Sequence, residues 1–208
     1  LSTTGEGTGT AGGGFTLSGS TAVTITADIT AGTTTCLTST HTGTGVNGVT
    51  INGNVTGGSA TNARGAVNSS TGTLTINGTV TGGSGSYAYG AWNTVTGTLT
   101  INGDVTGGSG QYACGAWNNS TGTLTITGTA TGGSVSNACG AWNHGTGTVN
   151  IYTGPVTGGS AANAHGAWNN STGTLTINGN VAASSTARAF GVYNNSTGVI
   201  TVIGSLVD

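Results

Sequence analysis

The chain repeats itself every 25 residues, and this period constrains its fold more than any other feature. Residues 71–93 read TGTLTINGTVTGGSGSYAYGAWN, and residues 96–118 read TGTLTINGDVTGGSGQYACGAWN. The match continues from Gly48 almost to the last residue, with one extra residue inserted near Pro155. A fixed period of this length is typical of solenoids, in which each repeat is a structural unit that packs only against its neighbours.

Each repeat contains three short segments with strand character. Leucine and isoleucine alternate with threonine in T-L-T-I, a V-T segment follows, and A-x-G-A-W-N closes the unit. Asn-Gly, Gly-Gly and Asn-Asn-Ser-Thr-Gly runs between these segments are turn-forming sequences, and no segment shows a helical period. We therefore predict an all-β fold, a right-handed parallel β-helix (β-solenoid) of about seven coils of 25–26 residues, with three short strands per coil.

The whole chain is expected to form one domain. Residues 1–208 would make a single β-solenoid, in which residues 1–47 form divergent N-terminal coils and residues 48–208 form the regular 25-residue repeats. A coil cannot bury its own apolar interior without neighbours, so stability is expected to accumulate coil by coil.

Equivalent positions in successive repeats predict which side chains face the interior. The apolar positions of T-L-T-I remain apolar in every repeat, so we expect them in the core and their threonine neighbours in solvent. In the closing segment the position of Tyr89 varies freely between repeats, whereas that of Ala88 does not, so we expect alanine, glycine and tryptophan to face inward. The predicted core ladder comprises Ile76, Ile101, Ile126, Ile151, Ile177, Trp92, Trp117, Trp142 and Trp168.

The chain is almost uncharged. It contains four acidic and two basic residues among 208, which gives a formal net charge of −2. Binding of nucleic-acid phosphates or of an anionic membrane requires clustered basic residues, and a membrane-spanning helix requires a run of about 18–20 apolar residues. The sequence offers neither, so we expect no nucleic-acid partner and no membrane insertion. Because it begins at Leu1 rather than methionine, we expect a processed chain or a segment of a longer, exported protein.

No arrangement of residues typical of catalysis is present in the sequence. Asp28 and Asp104 share a column of the repeat, but three coils separate them, about 14 Å at strand spacing, which exceeds the separation that glycoside hydrolysis uses. His41 and His144 have no carboxylate near them in the repeat register. We therefore expect that the chain is not an enzyme, that it has no catalytic residues and that it uses no cofactor.

Cys114, Cys139 and His165 occupy one column in consecutive repeats, on the side of the strand that we expect to face outward. In-register neighbours lie within the Cα separation of about 4.4–6.8 Å that a disulfide requires, and an exported protein would favour oxidation. Cys114 and Cys139 are therefore a candidate disulfide, and Cys36 is left over. A straight row of three residues does not supply the tetrahedral ligand set of zinc, so no metal site is predicted.

The T-x-T motif is a candidate binding surface. On strands about 4.8 Å apart, with side chains about 6.8 Å apart along each strand, the threonines would form a flat grid of hydroxyl and methyl groups. This layout is similar to the ice-binding face of antifreeze β-solenoids, which carry T-x-T in each coil, although Asn150 interrupts one column. The candidate ice-binding residues are Thr73, Thr75, Thr98, Thr100, Thr123, Thr125, Thr174 and Thr176.

The unit G-T-L-T-I-N-G-x-V-T-G-G-S-G recurs from Gly48 onward. It resembles the Gly/Thr/Asn-rich β-helix repeats of bacterial and phage surface proteins, such as adhesin stalks, autotransporter-like passengers and fibres. The resemblance implies an extracellular, cell-surface location and a structural or adhesive role, and it carries over no catalytic residue.

Three functions remain open from the sequence. The C-terminal stretch VITVIGSLV is among the most apolar in the chain, and neither end shows a capping segment. The leading hypothesis is therefore a structural subunit that stacks head to tail with copies of itself into a fibre, or forms part of a surface stalk. The first alternative is ice binding through the T-x-T surface. The second is a carbohydrate-binding adhesin that contacts surface glycans through the tryptophan column, if that column faces outward.

Overall fold

The computed structural model describes residues 7–9, 13–186 and 188–207. This part of the chain contains 25 short β-strands and one 3-10 helix, Gly45–Asn47. In chain order the strands are β1 (Gly7–Gly9), β2 (Phe15–Leu17), β3 (Val23–Ile25), β4 (Ile29–Thr30), β5 (Leu37–Ser39), β6 (Val49–Ile51), β7 (Val55–Thr56), β8 (Ala66–Asn68), β9 (Thr73–Ile76), β10 (Val80–Thr81), β11 (Ala91–Asn93), β12 (Thr98–Ile101), β13 (Val105–Thr106), β14 (Ala116–Asn118), β15 (Thr123–Ile126), β16 (Ala130–Thr131), β17 (Ala141–Asn143), β18 (Thr148–Ile151), β19 (Val156–Thr157), β20 (Ala167–Asn169), β21 (Thr174–Ile177), β22 (Val181–Ala182), β23 (Val192–Asn194), β24 (Val199–Val202) and β25 (Leu206–Val207).

Consecutive strands form the three sides of a coil, and equivalent strands of successive coils form three sheets. The threonine sheet contains β3 and every third strand after it up to β24. The valine sheet contains β4 and every third strand after it up to β25. The tryptophan sheet contains β2 and every third strand after it, beginning with β5 and ending with β23, and β1 lies at its edge.

Neighbouring coils pair in parallel and in register, so that Leu99 lies opposite its equivalents in the coils before and after it. The predicted all-β parallel solenoid with three strands per coil is confirmed. It has eight turns rather than about seven, since the threonine and valine sheets each contain eight strands. The additional turn comes from the divergent N-terminal segment, where Val23 and Ile25 pair in register with Val49 and Ile51.

The interior of the solenoid is narrow and mainly aliphatic. Leucine and isoleucine from the threonine sheet, valine from the valine sheet and alanine from the tryptophan sheet fill it, and they are essentially inaccessible to solvent. Full burial of an aliphatic side chain stabilises a fold by about 1.5–3 kcal/mol relative to exposure, so this core is the main source of stability. The core includes Ile76, Ile101, Ile126, Ile151 and Ile177.

The tryptophans lie on the outer face of their sheet. On β11 the alanine and asparagine on either side of Trp92 are fully buried, whereas the indole is only half-buried. Because successive side chains of a strand point to opposite faces, the indole faces away from the core. The predicted core ladder is therefore wrong for Trp92, Trp117, Trp142 and Trp168.

A ladder of asparagine amides runs through the interior beside the alanines. Asn93 Nδ2 donates to Oδ1 of Asn118 over 3.1 Å, and Asn118 Nδ2 donates in the same way to Asn143 over 3.1 Å. Asn93 Nδ2 also donates to the carbonyl oxygen of Gly97 over 3.1 Å. These hydrogen bonds offset the cost of burying polar groups, so the interior tolerates an amide in each of these coils.

The N-terminal end of the solenoid is partly covered. β1 pairs antiparallel with β2, with Gly9 opposite Phe15, and so covers the edge of the tryptophan sheet. The prediction that neither end is capped is therefore wrong for this edge. β3 and β4 are the edge strands of the other two sheets, yet the inward-facing Val23 and Ile25 are each only 2% exposed.

The C-terminal coil exposes apolar side chains that interior coils bury. Leu206 is 65% exposed, whereas Val181, which pairs with it in the preceding coil, is fully buried. The inward-facing Ile200 and Val202 are partly exposed, whereas Leu175 and Ile177, which pair with them, are fully buried. Within the described residues, β23, β24 and β25 are the edge strands of the three sheets at this end. The surface formed by residues 192–207 is named the C-terminal face.

Candidate functional surfaces

The two carboxylates that share a column join corners of neighbouring coils. Asp28 Oδ1 accepts hydrogen bonds from the backbone N–H and from Nδ2 of Asn54, over 2.7 and 3.1 Å. Asp104 Oδ1 accepts one from the backbone N–H of Thr129 over 2.7 Å. An asparagine does the same elsewhere in the column, where Asn54 Oδ1 accepts from the backbone N–H of Thr79 over 2.9 Å. These contacts give both carboxylates a structural role.

Two histidines are held by polar groups of the scaffold. Nδ1 of the buried His41 accepts from the backbone N–H of Gly43 over 3.1 Å, so Nε2 carries the proton and donates to the carbonyl oxygen of Thr21 over 2.7 Å. His144 Nδ1 lies 2.8 Å from Oδ1 of Asn119. In the described ranges, no group of three or more His, Cys, Asp or Glu residues is arranged to hold a metal ion.

The T-x-T surface is a regular array on the outside of the threonine sheet. Thr98 pairs in register with the threonines of the coils before and after it, and the flanking column of Thr100 does the same. Asn150 replaces threonine at one position of the Thr100 column. Every threonine of the array is partly exposed. The array comprises Thr73, Thr75, Thr98, Thr100, Thr123, Thr125, Thr174 and Thr176.

The hydroxyl groups of this array are available to water. Among the described residues, Thr73 is the one member whose side chain makes a hydrogen bond within the protein, where Oγ1 accepts from the backbone N–H of Gly45 over 3.2 Å. A row of asparagines borders the array, and there Asn102 Nδ2 donates to Oδ1 of Asn77 over 2.7 Å. The surface is therefore uncharged, ordered and rich in hydroxyl groups without protein partners.

The outer face of the tryptophan sheet carries a continuous stack of indole rings. The ring centroids of Trp92 and Trp117 are 5.1 Å apart, those of Trp117 and Trp142 are 5.0 Å apart, and those of Trp142 and Trp168 are 4.5 Å apart. The guanidinium carbon of Arg64 lies 4.0 Å from the ring centroid of Trp92 and extends the stack by a cation–π contact. Most ring faces are thus occupied by neighbours, and mainly the ring edges meet solvent.

This stack covers a second column, on the same side of the sheet, that the sequence predicts to be solvent-exposed. Tyr89, Cys114, Cys139 and His165 of this column are in fact buried, with at most 8% exposure. The first three form an outer cluster with the tryptophans, separate from the main core. The prediction of exposure is wrong because variation between repeats does not require contact with solvent. Each residue of this column contacts only its neighbours in the column and the indoles, so it can vary and still be buried.

Burial favours the neutral forms of ionisable groups in and beside the outer cluster. Desolvation raises the pKa of the Tyr89 hydroxyl and lowers the pKa of the Arg64 guanidinium. Desolvation also lowers the pKa of the His165 imidazole. The cluster is therefore an apolar medium, although it lies outside the main core.

Cys114 and Cys139 are adjacent, fully buried and free. The backbone N–H of Cys139 donates to Sγ of Cys114 over 3.1 Å. A side-chain hydrogen bond between the two thiols, together with burial, raises the pKa of the Cys139 thiol well above its usual value. The predicted disulfide is not formed in the structure, where the indole stack shields both thiols from solvent. Cys36 lies apart from them in the main core.

A groove of about 860 Å³ runs along the corners that follow the valine sheet, and the sequence did not predict it. Its lining comes from the T-G-G-S segments of successive coils, with no charged or aromatic side chain. The glycines are required because the coils approach closely there, and a Cβ atom at Gly108 would lie 1.7 Å from the carbonyl oxygen of Gly83. The groove is therefore a consequence of coil packing.

Comparison with known proteins identifies no relative, since no family model, curated protein or solved structure matches the chain. None of the helical structure in the described ranges is long and apolar enough to span a membrane. The function therefore has to be inferred from the surfaces themselves.

Proposed function

We propose that the chain is a structural β-solenoid unit of an extracellular fibre or surface stalk, and that the N-terminal coil of a second copy continues its C-terminal face. The observation that carries this proposal is the exposed apolar character of that face. The inward-facing Leu206 is 65% exposed, Ile200 and Val202 are partly exposed, and the strands β23, β24 and β25 have unpaired edges among the described residues. Exposed strand edges of this kind pair with further strands unless they are blocked.

The order of the strands permits a head-to-tail joint. A coil added after β25 would begin in the tryptophan sheet and continue through the threonine and valine sheets, which is the order of β2, β3 and β4. β3 would then pair with β24, and β4 with β25, of the preceding copy. β2 would pair with β23 at the same spacing, so β1, which covers the edge of β2, has to leave that edge when the joint forms. Subunits of net charge −2 repel one another only weakly. Because the joint pairs two different ends of the chain, it can repeat indefinitely into an open fibre and does not close into a ring.

Gly191→Ala tests this joint without altering the exposed apolar side chains. At the equivalent Gly166, an added Cβ atom would lie 2.6 Å from the carbonyl oxygen of Gly191 in the following coil. At Gly191 itself the nearest atom would be 3.6 Å away, which is an ordinary contact. The substitution should therefore leave the folded subunit intact and block only a further coil.

We expect electron microscopy to show filaments of the wild-type protein, and sedimentation to increase with concentration. Gly191→Ala and Leu206→Asp should sediment as monomers with unchanged circular dichroism. Val46→Asp is the matched control, because Val46 is an exposed apolar residue of the 3-10 helix, outside the C-terminal face. Wild-type rods that stay dispersed at all concentrations, or Gly191→Ala filaments, would refute the head-to-tail joint.

A second candidate function is ice binding, which the T-x-T surface favours. The described array combines in-register threonines, partial exposure and, apart from Thr73, hydroxyl groups without protein partners. Hydroxyl and methyl groups repeated about every 4.8 Å along the rod would order water at fixed positions, as a growing ice surface does. The glycan-binding alternative has less support, because stacking of a sugar requires a free aromatic face, and neighbouring rings occupy both faces of Trp117 and Trp142.

Measurement of thermal hysteresis tests the ice-binding candidate. Thr100→Tyr places a bulky ring in the middle of the array and should abolish the hysteresis. Thr121→Tyr is the matched control, because Thr121 is exposed at a corner outside the array and the hysteresis should persist. A wild-type protein without thermal hysteresis, or a Thr100→Tyr variant that retains it, rules out this function for the surface.

A further inference from the structure

The outer cluster brings two cysteine thiols together. Cys114 and Cys139 occupy the same position of neighbouring coils, and both are fully buried. The backbone N–H of Cys139 donates to Sγ of Cys114 over 3.1 Å, so the sulfur of one residue lies beside the other residue. Trp117 and Trp142 pack against this pair on its outer side.

We propose that Cys114 and Cys139 form a buried two-thiolate site for a soft monovalent cation of the Cu(I) class. Thiolate sulfur is a soft ligand that selects Cu(I), whereas hard cations require oxygen ligands. Cys114 and Cys139 lie just before β14 and β17, at equivalent positions of stacked coils about 4.8 Å apart, so an ion between the two sulfurs would be held in a nearly linear, two-coordinate geometry. Zinc requires four ligands in a tetrahedral arrangement, and this column does not supply them.

The surroundings of the two sulfurs suit a weakly hydrated ion. The described cluster consists of aromatic rings and thiols and contains no carboxylate. His165 follows Cys139 in the column, and its Nδ1 accepts from the backbone N–H of Phe190 over 3.1 Å. Nε2 therefore carries the proton of the neutral imidazole, so His165 offers the ion no third ligand and the site keeps two sulfur ligands.

Binding at this site exchanges protons for the cation. The thiolate is the form that binds a metal, so both thiols lose their protons, one cation replaces two protons, and the occupied site carries one negative charge. Arg64 supplies a positive charge to the same column, where its guanidinium carbon lies 5.6 Å from the ring centroid of Tyr89. The step needs no oxidant or reductant.

Ag(I) is the probe for this site, because it shares the preference for two thiolates and is not oxidised by air. The reduced, full-length protein is titrated with silver nitrate in chloride-free buffer, and native mass spectrometry counts the bound ions. We expect the pair to hold one tightly bound ion per chain and to release two protons, and the adjacent indoles should lose fluorescence. No bound ion, or no change in indole emission, would overturn the proposal.

Cys36→Ser is the matched control, because Cys36 is also buried but lies in the main core without a second thiol. Cys114→Ser and Cys139→Ser should each lose the tightly bound ion, whereas Cys36→Ser should keep it, and circular dichroism checks that each variant folds. X-ray absorption of the Ag(I)-loaded wild-type protein gives a test independent of any substitution. Two sulfur neighbours support the site, and any other ligand set refutes it.

Discussion

Asn118 shows how a single residue connects several parts of the scaffold. Its Nδ2 lies 3.3 Å from the carbonyl oxygens of both Ser120 and Gly122, and 3.1 Å from Oδ1 of Asn143. Its Oδ1 accepts a hydrogen bond from Asn93. The register places a donor of one coil opposite an acceptor of the next, so the buried amide of Asn118 is satisfied by its neighbours. The ladder is interrupted at Asn169, whose buried Oδ1 has no hydrogen-bond partner among the described residues.

Asn118→Ala should lower the free energy of unfolding by about 2–4 kcal/mol, because it leaves a donor of Asn93 and an acceptor of Asn143 buried without partners. The matched control is Asn119→Ala, since the neighbouring Asn119 is exposed and should change stability by less than about 0.5 kcal/mol. Urea denaturation followed by circular dichroism measures both. Equal effects of the two substitutions would show that the interior ladder contributes nothing to stability.

Cys36 makes stability depend on pH in the alkaline range. Burial raises the pKa of its thiol from 9.0 to about 11, and Sγ donates to the carbonyl oxygen of Ile29 over 3.2 Å. Because the folded pKa is the higher one, the stabilisation is complete below pH 9 and is lost as the pH rises through about 11. Between pH 8 and pH 11 the wild-type protein should lose about 2–3 kcal/mol more than Cys36→Ala does. Urea denaturation at each pH gives the free energy of unfolding of both proteins, and a difference between them that does not change with pH would contradict this.

The inward position of Ile101 follows from the sequence, because apolar residues recur there with period two between threonines. The outward position of Trp92 does not follow, because the A-W-N segment alternates too briefly to show which face is the core. The structure resolves this, because the alanine and asparagine on either side of Trp92 are fully buried and the indole therefore faces outward. Variation in the Cys114 column is similarly ambiguous, since the sequence does not show that the indoles cover it.

At the scale of the elements, columns of glycine set the distance between coils. Gly83, Gly108 and Gly133 follow one another in one column, and a Cβ atom at each would meet a carbonyl oxygen of the preceding coil at 1.8 Å or less. The strands on either side then pair without distortion. The 25-residue period predicts these elements from Gly48 onward. In the divergent first coil a spacing of 26 residues indicates only the apolar positions Val23 and Ile25, which pair with Val49 and Ile51.

Gly108→Ala should destabilise the protein by about 3 kcal/mol or more, because its Cβ atom would lie 1.7 Å from the carbonyl oxygen of Gly83 and the coils must separate. Gly191→Ala serves as the comparison, since no atom lies within 3.6 Å of its added Cβ. Thermal unfolding of dilute protein measures the stability of both variants. A Gly108→Ala variant as stable as Gly191→Ala would mean that the coils are not closely packed.

At the scale of the whole molecule, the rod is stabilised by the interfaces between successive coils. Each described strand pairs only with the equivalent strands of adjacent coils, apart from the antiparallel pair β1 and β2. Among the described residues, the last coil therefore has one neighbour where interior coils have two, and its inward-facing Leu206 is exposed accordingly. Stability should thus fall toward that end.

Hydrogen exchange measured by mass spectrometry should show this gradient. In dilute protein, amides of β23–β25 should exchange at least about 100-fold faster than those of β12–β14, because opening the last coil breaks only one interface between coils. At concentrations where filaments form, the same C-terminal peptides should become protected. Uniform exchange along the chain would indicate that all coils unfold together.

The corner between β18 and β19 has four residues where the corner between β12 and β13 has three. The strands on both sides of it stay in register, with Ile151 opposite Ile177 and Val156 opposite Val181. This corner therefore accommodates an extra residue without disturbing the register of the strands beside it. Because neighbouring repeats are also nearly identical in sequence, unequal recombination within the gene could insert or delete a whole repeat and leave every remaining joint intact. The length of the rod is then an evolvable quantity that changes in steps of one strand spacing, about 4.8 Å.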